Sequence, residues 1–231
     1  MRNLRAPDVL YFAMLPAGHI SAATRAPSRR AGLFLLAAAL ASCAAPAAAQ
    51  VRISLRTGIV VTTNLVRDSI VTPFSVRLNP AVFLGVAIET QIDPRYGVGV
   101  SFEVSRSDLL RRPSVDDIEF TTLTIWHPAI TLRHGFAAWA SVEFSAGAVI
   151  YDPDRRANTL FRNETPIEPM FGVGFSAVRS VGGRFEAALG VAYDVHRFST
   201  VALRTVGFKG ETTVHRFAVR VTVRRTVGVS R

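Results

Sequence analysis

The sequence predicts an all-β chain: an eight-stranded antiparallel up-and-down transmembrane β-barrel preceded by a cleaved signal peptide. Three observations predict it. The N-terminal segment has the layout of an export leader, eight period-two segments follow it, and their connections alternate long and short.

The leader comes first. Arg29-Arg30 precede the apolar run from Ala31 to Ala41, and Ser42 to Ala49 is rich in small residues. A basic stretch, an apolar stretch and a small-residue cleavage site are what export machinery reads. Cleavage is expected between Ala49 and Gln50, so residues 1–49 are the signal peptide and residues 50–231 the barrel domain. The stretch before Arg29 is long for a leader, which makes Met14 an alternative start. Leu40-Ala-Ser-Cys43 also resembles a bacterial lipobox, in which Cys43 would carry lipid. The small-residue run ending at Ala49 favours simple cleavage.

Composition narrows the class. The chain has 231 residues, 49% hydrophobic and 19% charged, with a mean hydropathy of +0.27. Yet no run of eighteen apolar residues follows Ala49, so helical spans are not expected in the mature part. Net charge is +10, of which residues 1–50 contribute +4, leaving +6. The arginines are scattered, so nucleic acid is not an expected partner. The single cysteine lies in the leader, so the mature chain has no disulfide and no thiolate metal site.

From Val51 onward, apolar residues alternate with small or charged ones. The first segment, 51–63, sets Ile53, Leu55, Ile59 and Val61 against Arg52, Ser54, Arg56 and Gly58. The second, 81–92, sets Val82, Leu84, Val86 and Ile88 against Gly85, Ala87, Glu89 and Gln91. The third, 96–105, sets Tyr96, Val98, Val100, Phe102 and Val104 against Gly97, Gly99, Ser101, Glu103 and Ser105. The fourth, 118–132, is irregular. Phe120, Trp126, Ile130 and Leu132 share a face, Leu123 and Ile125 fall on the other, and Pro128 suggests a bulge.

The fifth, 136–151, sets Phe136, Ala138, Ala140, Val142, Phe144 and Ile150 against Trp139, Ser141, Glu143, Ser145 and Gly147. The sixth, 167–178, sets Phe171, Val173 and Phe175 against Glu168, Gly172, Gly174 and Ser176. The seventh, 184–195, sets Phe185, Ala187, Leu189, Val191, Tyr193 and Val195 against Glu186, Ala188, Gly190 and Asp194. The eighth, 213–224, sets His215, Phe217, Val219, Val221 and Val223 against Arg216, Ala218, Arg220 and Thr222.

The connections 64–80, 106–117, 152–166 and 196–212 read as long. Those at 93–95, 133–135 and 179–183 read as short. Membrane barrels sort loops this way because one rim carries tight turns and the other long excursions. Period two alone does not say which face meets water. A soluble lipocalin-like periplasmic barrel with an apolar ligand inside would reverse the faces. The leader and the loop lengths favour apolar residues outward. Tyr96, Phe136 and Phe185 then follow short turns, and Phe102, Phe120, Phe171 and Phe217 lie toward the long loops, as two aromatic girdles.

With the faces so set, an interior charge network is expected from Arg52, Arg56, Glu89, Glu103, Glu143, Glu168, Glu186, Arg216 and Arg220. An eight-stranded barrel has an interior just wide enough to be filled by side chains, so no open pore is expected.

In this architecture the chain resembles the small eight-stranded outer-membrane barrels of the surface-antigen type over about residues 51–224. The resemblance implies residence in the cell outer membrane. It also implies outer-membrane lipid, lipopolysaccharide and the outer-membrane assembly machinery as partners. One feature departs: such barrels usually end on an aromatic residue, whereas this chain ends Arg224-Arg-Thr-Val-Gly-Val-Ser-Arg231.

Chemistry is sparse. Some outer-membrane barrels of this size modify lipid A, and their deacylases resemble a His-x-Ser arrangement on a strand. Here His127 is followed by Pro128 and Ala129, without a nucleophile. No phosphate loop or zinc-protease motif occurs. The expectation is a monomeric, non-enzymatic barrel without cofactor or metal, anchoring surface loops for envelope integrity or adhesion. Arg111, Arg112, Arg155 and Arg156 in the long loops are candidate contacts for lipopolysaccharide phosphates.

Overall fold

The computed structural model describes residues 50–68, 74–112, 118–154, 161, 164–205 and 212–227. Residues 1–49, with the expected leader and Cys43, lie outside them. The elements are β1 (Gln50–Thr62), β2 (Val66–Asp68), β3 (Phe74–Leu78), β4 (Ala81–Gln91), β5 (Tyr96–Arg112) and β6 (Ile118–Ala137). Then come β7 (Ala140–Pro153), β8 (Ile167–Gly182), β9 (Phe185–Phe198), the short helix α1 (Val201–Thr205) and β10 (Thr212–Val227).

Eight of the strands close on themselves. β1 pairs with β4 and β10, and the remaining pairs run β4–β5, β5–β6, β6–β7, β7–β8, β8–β9 and β9–β10, all antiparallel. Closure removes every barrel edge, and that is the condition for a sheet to sit in lipid. β2 and β3 form a hairpin outside the ring, with Ser75–Leu78 of β3 laid against Leu109–Arg112 of β5.

The register fixes the shape. A walk across paired residues from Val60 passes Ala218, Ala192, Gly174, Glu143, Arg133, Gly97 and Gln91, and returns to β1 at Gln50. The path comes back ten residues away from its start. For eight strands that stagger means a tilt of about 40°, and ten residues of tilted strand rise about 25 Å, the height of a membrane barrel's apolar band.

Alternation along β10 shows which side is which. Phe217, Val219, Val221 and Val223 are exposed, while Arg216, Ala218, Arg220, Thr222 and Arg224 are buried. β1, β4 and β9 repeat this, with Leu55, Leu84 and Leu189 each more than 60% exposed. A soluble barrel has the opposite arrangement. An apolar belt around the whole circumference far exceeds the few hundred Å² that soluble monomers expose.

Inward glycines leave room for charged partners across the strand. Gly172 faces Asp194 in register, and a Cβ there would overlap the Asp194 carboxylate and the Ser145 hydroxyl. At the β8–β9 turn, Gly182 and Gly183 take φ of 133° and 56°, which only glycine adopts without strain.

Several sequence expectations are corrected. The segment 133–135 is not a turn. β6 runs through it to Ala137, and the turn is Ala138-Trp139, so Trp139 is exposed at the rim and not inward. Ala138 belongs to that turn, and Ala140 is buried. The 179–183 turn shrinks to Gly183-Arg184 because β8 continues to Gly182. Residues 106–112 extend β5, so most of the connection expected over 106–117 is strand, and 113–117 lie outside the described residues. The 64–80 stretch holds the β2–β3 hairpin. Pro128 makes no bulge: the β6–β7 ladder skips it and resumes in the same register at Ala129. The register shifts instead at Leu109/Leu110 and Gly135/Ala137.

Candidate functional site

The interior is stacked in layers along the barrel axis, and alternation on the eight strands builds each of them. Nearest the short turns, Arg133 Nε donates to both oxygens of Glu89 at 2.8 and 3.0 Å. Arg52 lies 3.7 Å from Glu89 and 3.7 Å from Glu186. In the middle, Arg56 donates to both oxygens of Glu143 at 3.1 and 2.7 Å, and Arg220 donates to Glu143 at 2.9 Å. Above them, Arg216 donates to Asp194 at 2.8 Å and to Glu103 at 3.3 Å, and His127 Nδ1 lies 3.5 Å from Glu103. Arg56 also reaches Glu103 at 3.9 Å, joining the two upper layers.

Glu168 is the one expected network residue outside these layers. It sits at the long-loop end of β8, within electrostatic reach of Tyr151. Arg133, His127, Asp194 and Arg224 stand among the interior charges although the sequence list omitted them. Arg133 was hidden by its turn-like neighbours His134 and Gly135. For the other three, inward parity was the available signal.

Above the charges the lumen turns apolar. Leu65, Leu109, Leu123, Val149, Tyr151, Phe161, Met170, Phe198 and Val214 are all nearly inaccessible and form one cluster with Ile125, Leu78 and Leu203. Leu123 and Ile125, which broke the alternation of the fourth segment, face inward because they belong to this cap. Tyr151 shares a hydrogen bond with His196 Nε2 at 2.5 Å and packs edge-on against Phe198. His127 Nε2 touches Met170 Sδ where charge gives way to cap.

Burying ions costs more than a single pair returns, so charges inside a barrel persist only when each finds partners. The geometry satisfies that for the middle and upper layers. What such a layer can do is brace eight strands in one register. The cavity left among Arg56, Glu103, Glu143 and Arg216 measures about 20 Å³, room for about one water.

Outside, aromatics stand toward both ends of the belt, while Phe102, Phe144 and Phe175 are exposed between them, so Phe102 does not join the girdle expected toward the long loops. Tyr96, Phe136 and Phe185 are exposed beside the short turns, with the Arg225 guanidinium 5.6 Å from the Phe185 ring centre. Phe171 and Phe217 are exposed toward the other end, where Tyr193 packs on Phe217. Arg111 is exposed at the end of β5. Arg155 and Arg156 lie outside the described residues, as do the side chains of Arg112 and Phe120.

A closed eight-stranded barrel, apolar outside and charged inside, has the fold of an outer-membrane β-barrel. The sequence matches no family model and no curated protein. The fold is similar to that of Neisserial surface protein A, with a TM-score of 0.51 and 8% identity over 76% of this chain and 96% of that one. OprG from Pseudomonas aeruginosa gives 0.50 and 9% over 79% and 97%. AlkL, solved in lipid bilayers, gives 0.53 and 11% over 81% and 94%. At these identities the likeness is one of fold.

Proposed function

We propose that the protein is a non-enzymatic outer-membrane barrel without an open pore, anchoring surface loops for envelope integrity or adhesion. Export by the leader at residues 1–49 belongs to the same reading, as does insertion by the assembly machinery. The observation that carries it is the filled lumen: stacked ion pairs below, an apolar cap above, and room for about one water between. His127 and His196 are buried inside the wall, out of reach of lipid, which supports a role without catalysis. The test is ion conductance of the reconstituted protein across a planar bilayer. A closed baseline is expected, and steady ohmic steps would overturn the reading.

Lipopolysaccharide phosphates are the proposed partners of the long-loop rim, where Arg111 is exposed. Arg111→Glu is expected to weaken retention on immobilised lipopolysaccharide several-fold while the barrel stays folded. Equal retention by the variant would count against this contact.

A further inference from the structure

The short-turn end of the barrel opens into a cavity of about 350 Å³, lined by Arg52, Arg95, Arg133, Ser141, Glu186 and Arg224. At about 30 Å³ per water, that volume admits a small hydrated anion. The balance of charge around it is uneven. Glu89 serves both Arg133 and Arg52, and Glu186 lies against Arg52. Arg224 is left over. It is only 4% exposed, and among the described residues no carboxylate lies within ion-pair distance of it. Glu186 faces Arg224 directly in register, yet its carboxylate leans to Arg52. Glu89 and Glu143 act on Arg224 only from farther away. The Nε of Arg52 is also buried without a hydrogen-bond acceptor. The Arg224 guanidinium borders the cavity and is not among the buried groups cut off from solvent, so an anion there would supply the counter-charge that the described carboxylates do not.

We propose that this vestibule binds a phosphoryl oxyanion, seated on Arg224 with Arg52, Arg133 and Arg95 around it. Several planar forks converging on one space suit a tetrahedral anion with three or four acceptor oxygens, which can take two bonds from each of two guanidiniums. A single carboxylate would leave some of those donors unmet. Soluble phosphate, or a phosphate monoester, reaches the vestibule from the aqueous side. A lipid headgroup reaches it by folding inward over the short-turn rim. The chemistry of recognition is the same for both.

The test uses the purified protein in nanodiscs, following the arginine side-chain N–H resonances of Arg52, Arg133 and Arg224. In zwitterionic lipid, inorganic phosphate and then glycerol phosphate are titrated against chloride at constant ionic strength. In a second arm the lipid is changed to phosphatidylglycerol with no phosphate added. Saturable shifts in the first arm assign a soluble phosphate, and shifts in the second arm alone assign a headgroup. In whichever arm responds, Arg224→Gln is expected to weaken binding about tenfold or more, the worth of a charge-assisted contact. Arg225→Gln, whose side chain lies over Phe185 on the outer face, is expected to bind like the parent. Because Arg224→Gln removes an unmatched charge, it should fold, and its unheated gel mobility checks that. No saturable shift in either arm, or equal affinity in Arg224→Gln, overturns the proposal.

Discussion

Glu143→Leu is expected to destabilise the folded barrel by about 3–5 kcal/mol, the cost of leaving buried cations without their partner. The carboxylate is 5% exposed and accepts from two guanidiniums at once, at 3.1 and 2.7 Å from Arg56 and 2.9 Å from Arg220. Leucine nearly conserves the volume, so a cavity contributes little, and the loss comes from electrostatics. Glu103 gives Arg56 partial relief at 3.9 Å, but it already serves Arg216 and His127. The measurement is the urea midpoint at which the compact form is lost from unheated gels. A triple variant sharpens it. With Arg56→Met and Arg220→Met added to Glu143→Leu, no middle-layer charge is orphaned and most of the stability should return, as apolar replacement of whole buried ion clusters often permits. If the single variant shifts stability by less than about 1 kcal/mol, water reaches these cations and the lumen is not closed.

The physics explains which features were legible in the sequence and which were not. Which residues share a face was legible because a strand has a period of two, and the leader and loop lengths then pointed the apolar face outward. Leu55, Val86, Phe175 and Val221 all lie outward as read. Strand ends were harder. Arg133-His134-Gly135 has the composition of a turn, yet Arg133 is an interior cation on Glu89, and composition does not separate a polar lumen from a polar loop. The apolar cap was hidden for a related reason. Lumen positions were expected to be small or charged, so Leu123 and Ile125 looked like errors in the pattern. Val149, Tyr151, Met170 and Val214 carry the same apolar switch on inward positions near the long loops. Taken together across strands, they were the available signal. Pairing within the lumen was out of reach, because which guanidinium meets which carboxylate depends on the ten-residue stagger, and only three-dimensional closure sets that.

The stagger also places Leu189 where lipid is thickest. It lies four residues from Phe185 and four from Tyr193 on β9, midway between them, and it is 61% exposed. Its neighbours across the strands are Val221 and Ala177. Leu189→Arg is expected to lower folding stability in bilayers by about 2–4 kcal/mol, the cost of a cation at the membrane midplane. Val181, exposed beside the β8–β9 turn, should accept arginine for about 1 kcal/mol or less, since the side chain can reach headgroups there. The comparison separates two solvents. In water, arginine on an open strand face changes stability by about half a kcal/mol in either direction, wherever it is put. The readout is the folded fraction after refolding into lipid vesicles, for the two variants in parallel. A steep dependence on position places acyl chains against Leu189. Equal tolerance at both positions would mean the outward leucines and valines meet water, and the barrel would then stand outside the membrane with its charges still locked within.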